Sequence, residues 1–374
     1  MKILQVVQSL GKGGAERLVL DISQAIKEYH PEVSVRIVAL NKKNEYQELS
    51  KGLDIVYCNS YVKWSILGKS DIDIAEYERI VDDFNPDIIH SHTYTAELVS
   101  REHIRENIIY VTHTHNNMPE FESFSIKALF FKSLLAKFLE KQRMISKYQK
   151  CSNRFVSISN DTSNFYGKNL PSSIRKNIYY LPNAINYQKF HKKKIFDFTQ
   201  KLRLINVGSY QAKKNQKFLI DLAIELRKRS LDFELLLLGN GYLFNKISQQ
   251  IEINGLQGNV IQKGNVSDVE HYLWKSDIYV HSALYEPFGL VLLEAMSAGV
   301  PVVTLDGKGN RDLIEEGKNG YMIYEQNAEL FADKILEIWN DKQKYQAMSQ
   351  YAQEYAKRYD IGPYVDRLLE IYKR

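Results

Sequence analysis

Two α/β domains, each built on a parallel sheet, are the architecture this chain predicts, and three observations carry it. Short apolar runs alternate with amphipathic stretches from the start to about residue 188, and the same rhythm returns from 203 to 324. Parallel strands need helical crossovers, so each series reads as one Rossmann-like half. The polar run His191-Lys192-Lys193-Lys194 lies between them and reads as a linker, and 374 residues suffice for two cores. The expected domains are 1–188 and 189–358, with a terminal helix over 359–374.

Taken in order, the first half begins with MKILQVVQSL. Its apolar run is too short, and too interrupted by Gln5 and Gln8, for a signal peptide, so it is read as the strand Ile3–Val7. Further strands are expected at Val33–Leu40, Asp54–Cys58, Asp87–His90, Ile108–Thr112 and Phe155–Ile158. Asp71-Ile72-Asp73, ahead of Ala75-Glu76-Tyr77-Glu78-Arg79, reads as the charged start of a helix and is assigned no metal. The second half offers Leu204–Val207, Glu234–Leu238, Val260–Gln262, Asp277–Val280, Val302–Leu305 and Tyr321–Tyr324. Helices fill the chain from about Ala328, the last near Pro363 to Tyr372.

Composition narrows the function. A hydrophobic content of 44% and a charged content of 25% suit a soluble globular protein. The net charge of +5 is too modest to imply nucleic acid. Cys58 and Cys151 form no CxxC pair, which argues against a disulfide scaffold or zinc knuckle and for a reducing cytoplasm. No window approaches the ~18–20 apolar residues of a membrane span.

The stretch His281–Val303, HSALYEPFGLVLLEAMSAGVPVV, carries the most chemistry. A helix is expected from Phe288 to Ala298, with Pro287 at its start and Gly299 at its end. The first amides of a helix lack internal partners and sit at the positive end of its dipole. Gly289 has no Cβ to keep an anion away from them. Glu294 lies five residues further on, ~7–8 Å along the axis, about the reach from a diphosphate to its ribose. Glu286 would then lie on the other side of the phosphates, where a sugar would be.

Other candidates are weaker by themselves. Gly11-Lys12-Gly13-Gly14-Ala15-Glu16-Arg17 follows the first strand, and either a phosphate-binding turn or a plain tight turn needs such glycines. It is neither a G-x-G-x-x-G nor a Walker loop. His90-Ser91-His92 and His113-Thr114-His115 end two strands, where α/β sheets place ligands. Zinc binding, as in a metal hydrolase, is the alternative, but no carboxylate or cysteine completes either site locally. Residues 126–150 hold Lys127, Lys132, Lys137, Lys141, Arg143, Lys147 and Lys150 against one acid, Glu140, beside an apolar-rich face. That stretch fits an anionic membrane surface, or a helix docked on its own domain.

The string E-P-F-G-L-x-x-x-E-A-M-x-x-G-x-P-V-V closely resembles the Glu-x7-Glu region of retaining glycosyltransferases of family 4. The resemblance implies the GT-B fold: two Rossmann-like domains facing across a cleft, with the last helix crossing back to the first. It also implies a nucleoside-diphosphate sugar as donor (UDP favoured over GDP), a glycan or lipid-linked acceptor, and neither cofactor nor metal. In the first half, Gly13 and Gly14 match the GGAE loop. VTHTHNN resembles the V-T-x-H segment and places His115 near the reacting carbon of the donor sugar. His92 would line the cleft, with His90 and His113 as packing residues. In the second half, Lys214 falls on the phosphate-binding lysine, and Gly239 in the L-G-x-G turn lining the nucleotide cleft. Glu286 would touch the donor sugar and Glu294 the ribose, while the amides of Phe288, Gly289 and Leu290 meet the departing phosphate. His115, Lys214 and Glu286 are the implied catalytic set.

The departures are Ser209 for the usual arginine, Asn215 for glycine, Asp312 for glutamate, and Ala184 and Asn186 in the P-N-G-I-D hinge segment. Rival readings are a sugar-nucleotide epimerase or hydrolase of the same fold, and a nucleotide-sugar-binding subunit without turnover. The expected location is cytoplasmic, peripheral to the inner face of the membrane.

Overall fold

The computed structural model describes residues 1–63, 70–122, 132–192 and 201–374. The chain divides into two compact units, one of residues 1–184 with 361–374 and one of residues 185–360. The crossings therefore fall after Ala184 and Asp360, against 188 and 358 in the sequence reading. His191 and Lys192 lie inside the second unit, whereas Lys193, Lys194 and residues 126–131 of the basic stretch are outside the described residues.

The first unit holds β1 (Lys2–Val7), β2 (Ser34–Ala39), β3 (Asp54–Tyr57), β4 (Tyr61–Lys63), β5 (Asp71–Asp73), β6 (Ile88–Ser91), β7 (Ile109–Thr114), β8 (Ser152–Ser157) and β9 (Ile178–Tyr180). Seven of them form a parallel sheet in the order β3-β2-β1-β6-β7-β8-β9. The central β6 is buried along its whole length, which is why IIHS reads as a continuous run rather than an alternation.

Two readings are corrected here. Asp71-Ile72-Asp73 is not a helix start but a strand, paired antiparallel with β4. The helix begins after it, at Ala75, where Asp73 accepts the Ala75 amide at 3.1 Å. Ile72 packs partly buried between two apolar clusters, and that burial holds the three residues extended. The three-residue β9 was not anticipated. It pairs with β8 and is too short to show a period.

The terminal helix, Ile361–Lys373, belongs to the first unit, as the resemblance implies. Tyr364, Val365, Leu368 and Leu369 share a core cluster there with Leu18, Ile22 and Ile26 of the helix Gly14–Tyr29.

The second unit is a parallel sheet of β10 (Leu202–Val207), β11 (Phe233–Leu238), β12 (Val260–Gly264), β13 (Ile278–His281), β14 (Val302–Leu305) and β15 (Gly320–Ile323). The order is β12-β11-β10-β13-β14-β15. Each sheet reverses its strand order once beside its first strand, between β1 and β6 and between β10 and β13. Open α/β sheets bind ligands outside the strand ends at such a reversal.

Candidate active site

In the second unit the reversal joins two loops. Leaving β10, the chain makes a short 3-10 turn, Ala212–Lys214, and then sets Asn215 at φ +51°. Asparagine tolerates that left-handed conformation, so it can stand where the family commonly has glycine. The loop leaving β13 bonds to this turn: Ser282 Oγ donates to the Lys214 carbonyl at 2.8 Å, and the Leu284 amide to the Lys213 carbonyl at 2.8 Å.

The result is a contact between residues 72 positions apart. Lys214 Nζ donates to Glu286 Oε2 at 2.5 Å. His281 Nε2 lies 3.2 Å from the same oxygen, outside hydrogen-bond geometry. Burial alone would push the Glu286 carboxyl up, but the Lys214 ammonium, helped by His281, holds it well below the usual carboxylate range. Burial pushes the His281 imidazole down, against the pull of Glu286.

Two turns flank the pair. Gly239, at φ +127° after β11, has no room for a side chain, since a Cβ there would lie 2.1 Å from the Gly208 carbonyl oxygen. Glu286 donates its amide to the Gly307 carbonyl at 2.7 Å, and a Cβ on Gly309 would lie 1.8 Å from the Pro287 carbonyl oxygen. Between those glycines Lys308 adopts φ +76°, ψ −78°.

The helix starts later than the sequence suggests. It spans Leu290–Ser297, because Gly289 at φ +104° breaks helical geometry just before it, and Phe288 is a buried residue ahead of the helix. Leu290 and Gly289 thus remain at the helix start, while the Phe288 amide is no part of it. Glu294 lies in the helix, half-buried. Ser209 lends its carbonyl to Gln216 Nε2 at 3.0 Å and supplies no cation.

In the first unit, the loop after β1 is held from within. The Lys12 amide donates to Glu45 Oε2 at 2.9 Å and the Gly13 amide to the Tyr46 hydroxyl at 3.2 Å. Gly13 caps the helix that Gly14 opens. At the ends of β6 and β7 the four histidines form one cluster, with adjacent ring centroids 4.1–5.2 Å apart. His90, His92 and His113 are buried, whereas His115 is half-buried. Burial pushes all four imidazoles down, towards neutrality.

One ring nitrogen from each of His90, His92 and His113 lies within 4.8 Å of the others. Both nitrogens of His92 are already engaged, Nδ1 with His115 Nε2 at 3.0 Å and Nε2 with Gln5 Oε1 at 2.6 Å. A metal would have to displace one of those bonds.

Against that geometry stand the comparisons with known proteins. The model of glycosyl transferases group 1 matches residues 188–355, and that of glycosyltransferase family 4 matches residues 12–189. This chain belongs to the family-4 glycosyltransferases.

Two of its relatives are sugar transferases by name. A poly(glycerol-phosphate) alpha-glucosyltransferase of Bacillus subtilis is 35% identical over 129 residues, 34% of this chain but only 19% of that protein. A UDP-Gal:alpha-D-GlcNAc-diphosphoundecaprenol alpha-1,3-galactosyltransferase of Escherichia coli is 25% identical over 300 residues, 76% of this chain and 75% of that one.

Among solved structures, Anabaena HepE in complex with UDP-glucose is similar with a TM-score of 0.78 at 20% identity, over 99% of this chain and 98% of that chain. A Staphylococcus aureus TarM mutant with Fondaparinux, alpha-GlcNAc-glycerol and UDP gives 0.78 at 17%, over 100% of both. These neighbours are GT-B enzymes, and the two parallel-sheet units of this family-4 chain have that fold.

Of the residues predicted for the site, Lys214 and Glu286 are in direct contact, with Gly239 and Gly289 in the turns beside them. His115, Gly13 and Gly14 belong to the other unit. Sequence reasoning missed His281 against Glu286, although His281 opens the stretch His281–Val303. It also gave no role to Gln5, whose position inside an apolar strand was the available signal.

Proposed function

We propose that this chain is a retaining, metal-independent glycosyltransferase. It moves a hexose or N-acetylhexosamine from a UDP-sugar to a glycan or lipid-linked acceptor. The observation that carries the reading is the Lys214–Glu286 pair at the strand reversal, next to a helix start freed by Gly289. The ammonium and the Gly289 and Leu290 amides take the charge of the departing diphosphate, which a cation carries in other enzymes. Glu286 orients the donor sugar, Glu294 holds the ribose, and His115 acts on the sugar near its reacting carbon.

The acceptor hydroxyl gives its proton to the leaving phosphate on the face it attacks, so no side-chain nucleophile is required. Support for the donor comes from relatives and neighbours whose names carry UDP-Gal, UDP-glucose and UDP. A panel of UDP, GDP and ADP sugars decides it. UDP at 100 times its dissociation constant should add ~2.7 kcal/mol of stability, and transfer should persist in EDTA with the anomeric configuration kept. Activity that vanishes in EDTA and returns with Mn²⁺ overturns the metal-free reading.

The proposal includes a peripheral place at an anionic membrane. No helix among the described residues is long and apolar enough to cross one. In the helix Lys132–Lys150, Lys141 donates to the Phe121 carbonyl, Arg143 pairs with Glu140, and Lys147 pairs with Glu102. Exposed Lys137 and Lys150 are left to meet lipid, at ~1 kcal/mol each. Changing both to Glu should weaken sedimentation with anionic vesicles. Equal binding to neutral vesicles would defeat the charge mechanism.

A further inference from the structure

A line of side chains in the first unit leads to His115, and its other members have no part in the reaction as proposed so far. Gln5, in the middle of β1, is wholly buried, an expensive place for an amide unless its polar atoms are used. Its Oε1 lies 2.6 Å from His92 Nε2, and His92 Nδ1 lies 3.0 Å from His115 Nε2. Behind His92, the Tyr372 hydroxyl lies 2.5 Å from His90 Nδ1. Tyr372 comes from the helix Ile361–Lys373, so the terminal helix packs against the histidine cluster through His90.

We propose that Gln5 and His92 are positioning residues that fix the tautomer of His115, leaving His115 Nδ1 as the lone-pair nitrogen. The role of His115 rests on the function proposed above; the tautomer does not.

A neutral imidazole has one N–H and one lone pair, and a bond at one nitrogen decides the character of the other. The Gln5 oxygen only accepts, so His92 Nε2 carries the proton. His92 sits among His90 and His113, where a charge is costly, and it stays neutral, so its Nδ1 is the acceptor. His115 Nε2 must then be the donor across the 3.0 Å contact, and Nδ1 keeps its lone pair. That nitrogen has no hydrogen-bond partner among the described residues. A sugar hydroxyl presented to it would donate, whereas the opposite tautomer would present an N–H.

The orientation of the Gln5 amide sets the polarity of the line. Turned over, the NH₂ would donate to His92 Nε2 and every bond would reverse. The present orientation sends the oxygen to His92 and leaves the NH₂ without a hydrogen-bond partner among the described residues.

Nitrogen-15 correlation spectra of the histidine rings in the full chain test the proposal. His92 and His115 should both appear as Nε2–H tautomers; an Nδ1–H tautomer at either overturns it. Gln5→Leu, and independently His92→Phe, should let His115 populate both forms and lower kcat about tenfold with KM unchanged, well within what a positioned proton-transfer group contributes. Circular dichroism confirms that each variant is folded. If a folded variant loses the tautomer preference without losing kcat, the positioning role is wrong. If the wild type shows both Nε2–H tautomers but transfers no sugar, the proposed function fails while the tautomer assignment stands.

Discussion

Two ion pairs in this molecule invite comparison, Glu97–Arg101 in the first unit and Lys214–Glu286 in the second. Glu97 and Arg101 are both wholly buried, 2.9 Å apart. Every guanidinium nitrogen has a further partner: Nε and Nη2 meet Asn153, Nη1 meets Ser91 and Ser100, and Nη2 also meets Thr112. Glu97 Oε2 accepts in addition from Thr112 and Tyr148. Lys214–Glu286 is shorter, at 2.5 Å, yet barely supported: no second hydrogen-bond partner for the ammonium is found among the described residues. The difference marks their roles. A saturated cation has no valence to offer a ligand and serves as scaffold, whereas a lysine with one partner at a strand reversal can exchange it for phosphate.

The largest effect expected from this contrast is structural. Arg101→Met leaves Glu97 buried without its cation, and breaking such a pair costs about 3–5 kcal/mol. Urea unfolding should register that loss in the first unit; a loss under ~1 kcal/mol would mean that the hydroxyl and amide partners suffice alone.

Next comes turnover. Lys214→Met should lower kcat by about 10²–10³-fold, the usual consequence of removing one charge-stabilising group. The same variant reverses a pH dependence. With Lys214 present, the Glu286 carboxyl is held low, so its contribution to stability is present above the unfolded value near 4.5 and is lost as pH falls. Without Lys214, burial dominates and raises that carboxyl, so stability should fall as pH rises through 4.5 and beyond. Thermal midpoints from pH 3 to 8 would show the change of sign, and parallel curves would refute the coupling.

The contrast also separates what the chain discloses from what it hides. Apart from the three-residue β9, the strands of both sheets were legible because buried parallel strands are continuous apolar runs. Lys214 and Glu286 were legible one at a time, from the strings around them. Their contact was not, because it depends on Ser282 and Leu284 joining two loops. Nor was Glu97–Arg101, a helical i,i+4 pair that on sequence alone looks like any solvated one. The late helix start escaped because Gly289 was read as an open amide position, whereas its φ of +104° ends the extended segment. Asp71–Asp73 was misread because local charge pattern yielded to tertiary burial of Ile72.

A smaller effect should divide the two glutamates. Glu294→Gln should weaken free UDP by about 1.5–3 kcal/mol, if a charge-assisted bond to the ribose is lost. Glu286→Gln should leave free UDP nearly unchanged and lower turnover instead, since its contact is to the sugar. Calorimetry and transfer kinetics on both variants check this. Equal weakening of free UDP by the two would show that Glu286 reads the nucleotide.

The smallest effect concerns the turn beneath Glu286. Lys308 holds φ +76°, ψ −78°, and the Gly309 amide reaches back to the Gly307 carbonyl at 3.1 Å, the geometry of a strained γ-turn. A side chain makes that conformation costly, and glycine relieves it. Lys308→Gly should therefore stabilise the second unit, by about 1 kcal/mol. Among the described residues the lysine side chain has only a distant ionic partner in Asp306, at 3.9 Å, and Arg311 already pairs with that carboxylate at 2.5 Å, so little is lost with it. The turn also receives the Glu286 amide and so sets where that carboxylate stands. If the strain serves the site, Lys308→Gly should gain stability and lose turnover together, as relaxed backbone lets Glu286 drift from Lys214. A gain in stability with unchanged kcat would make the strain incidental, and a loss of stability would mean that the Lys308 side chain contributes more than its torsion costs.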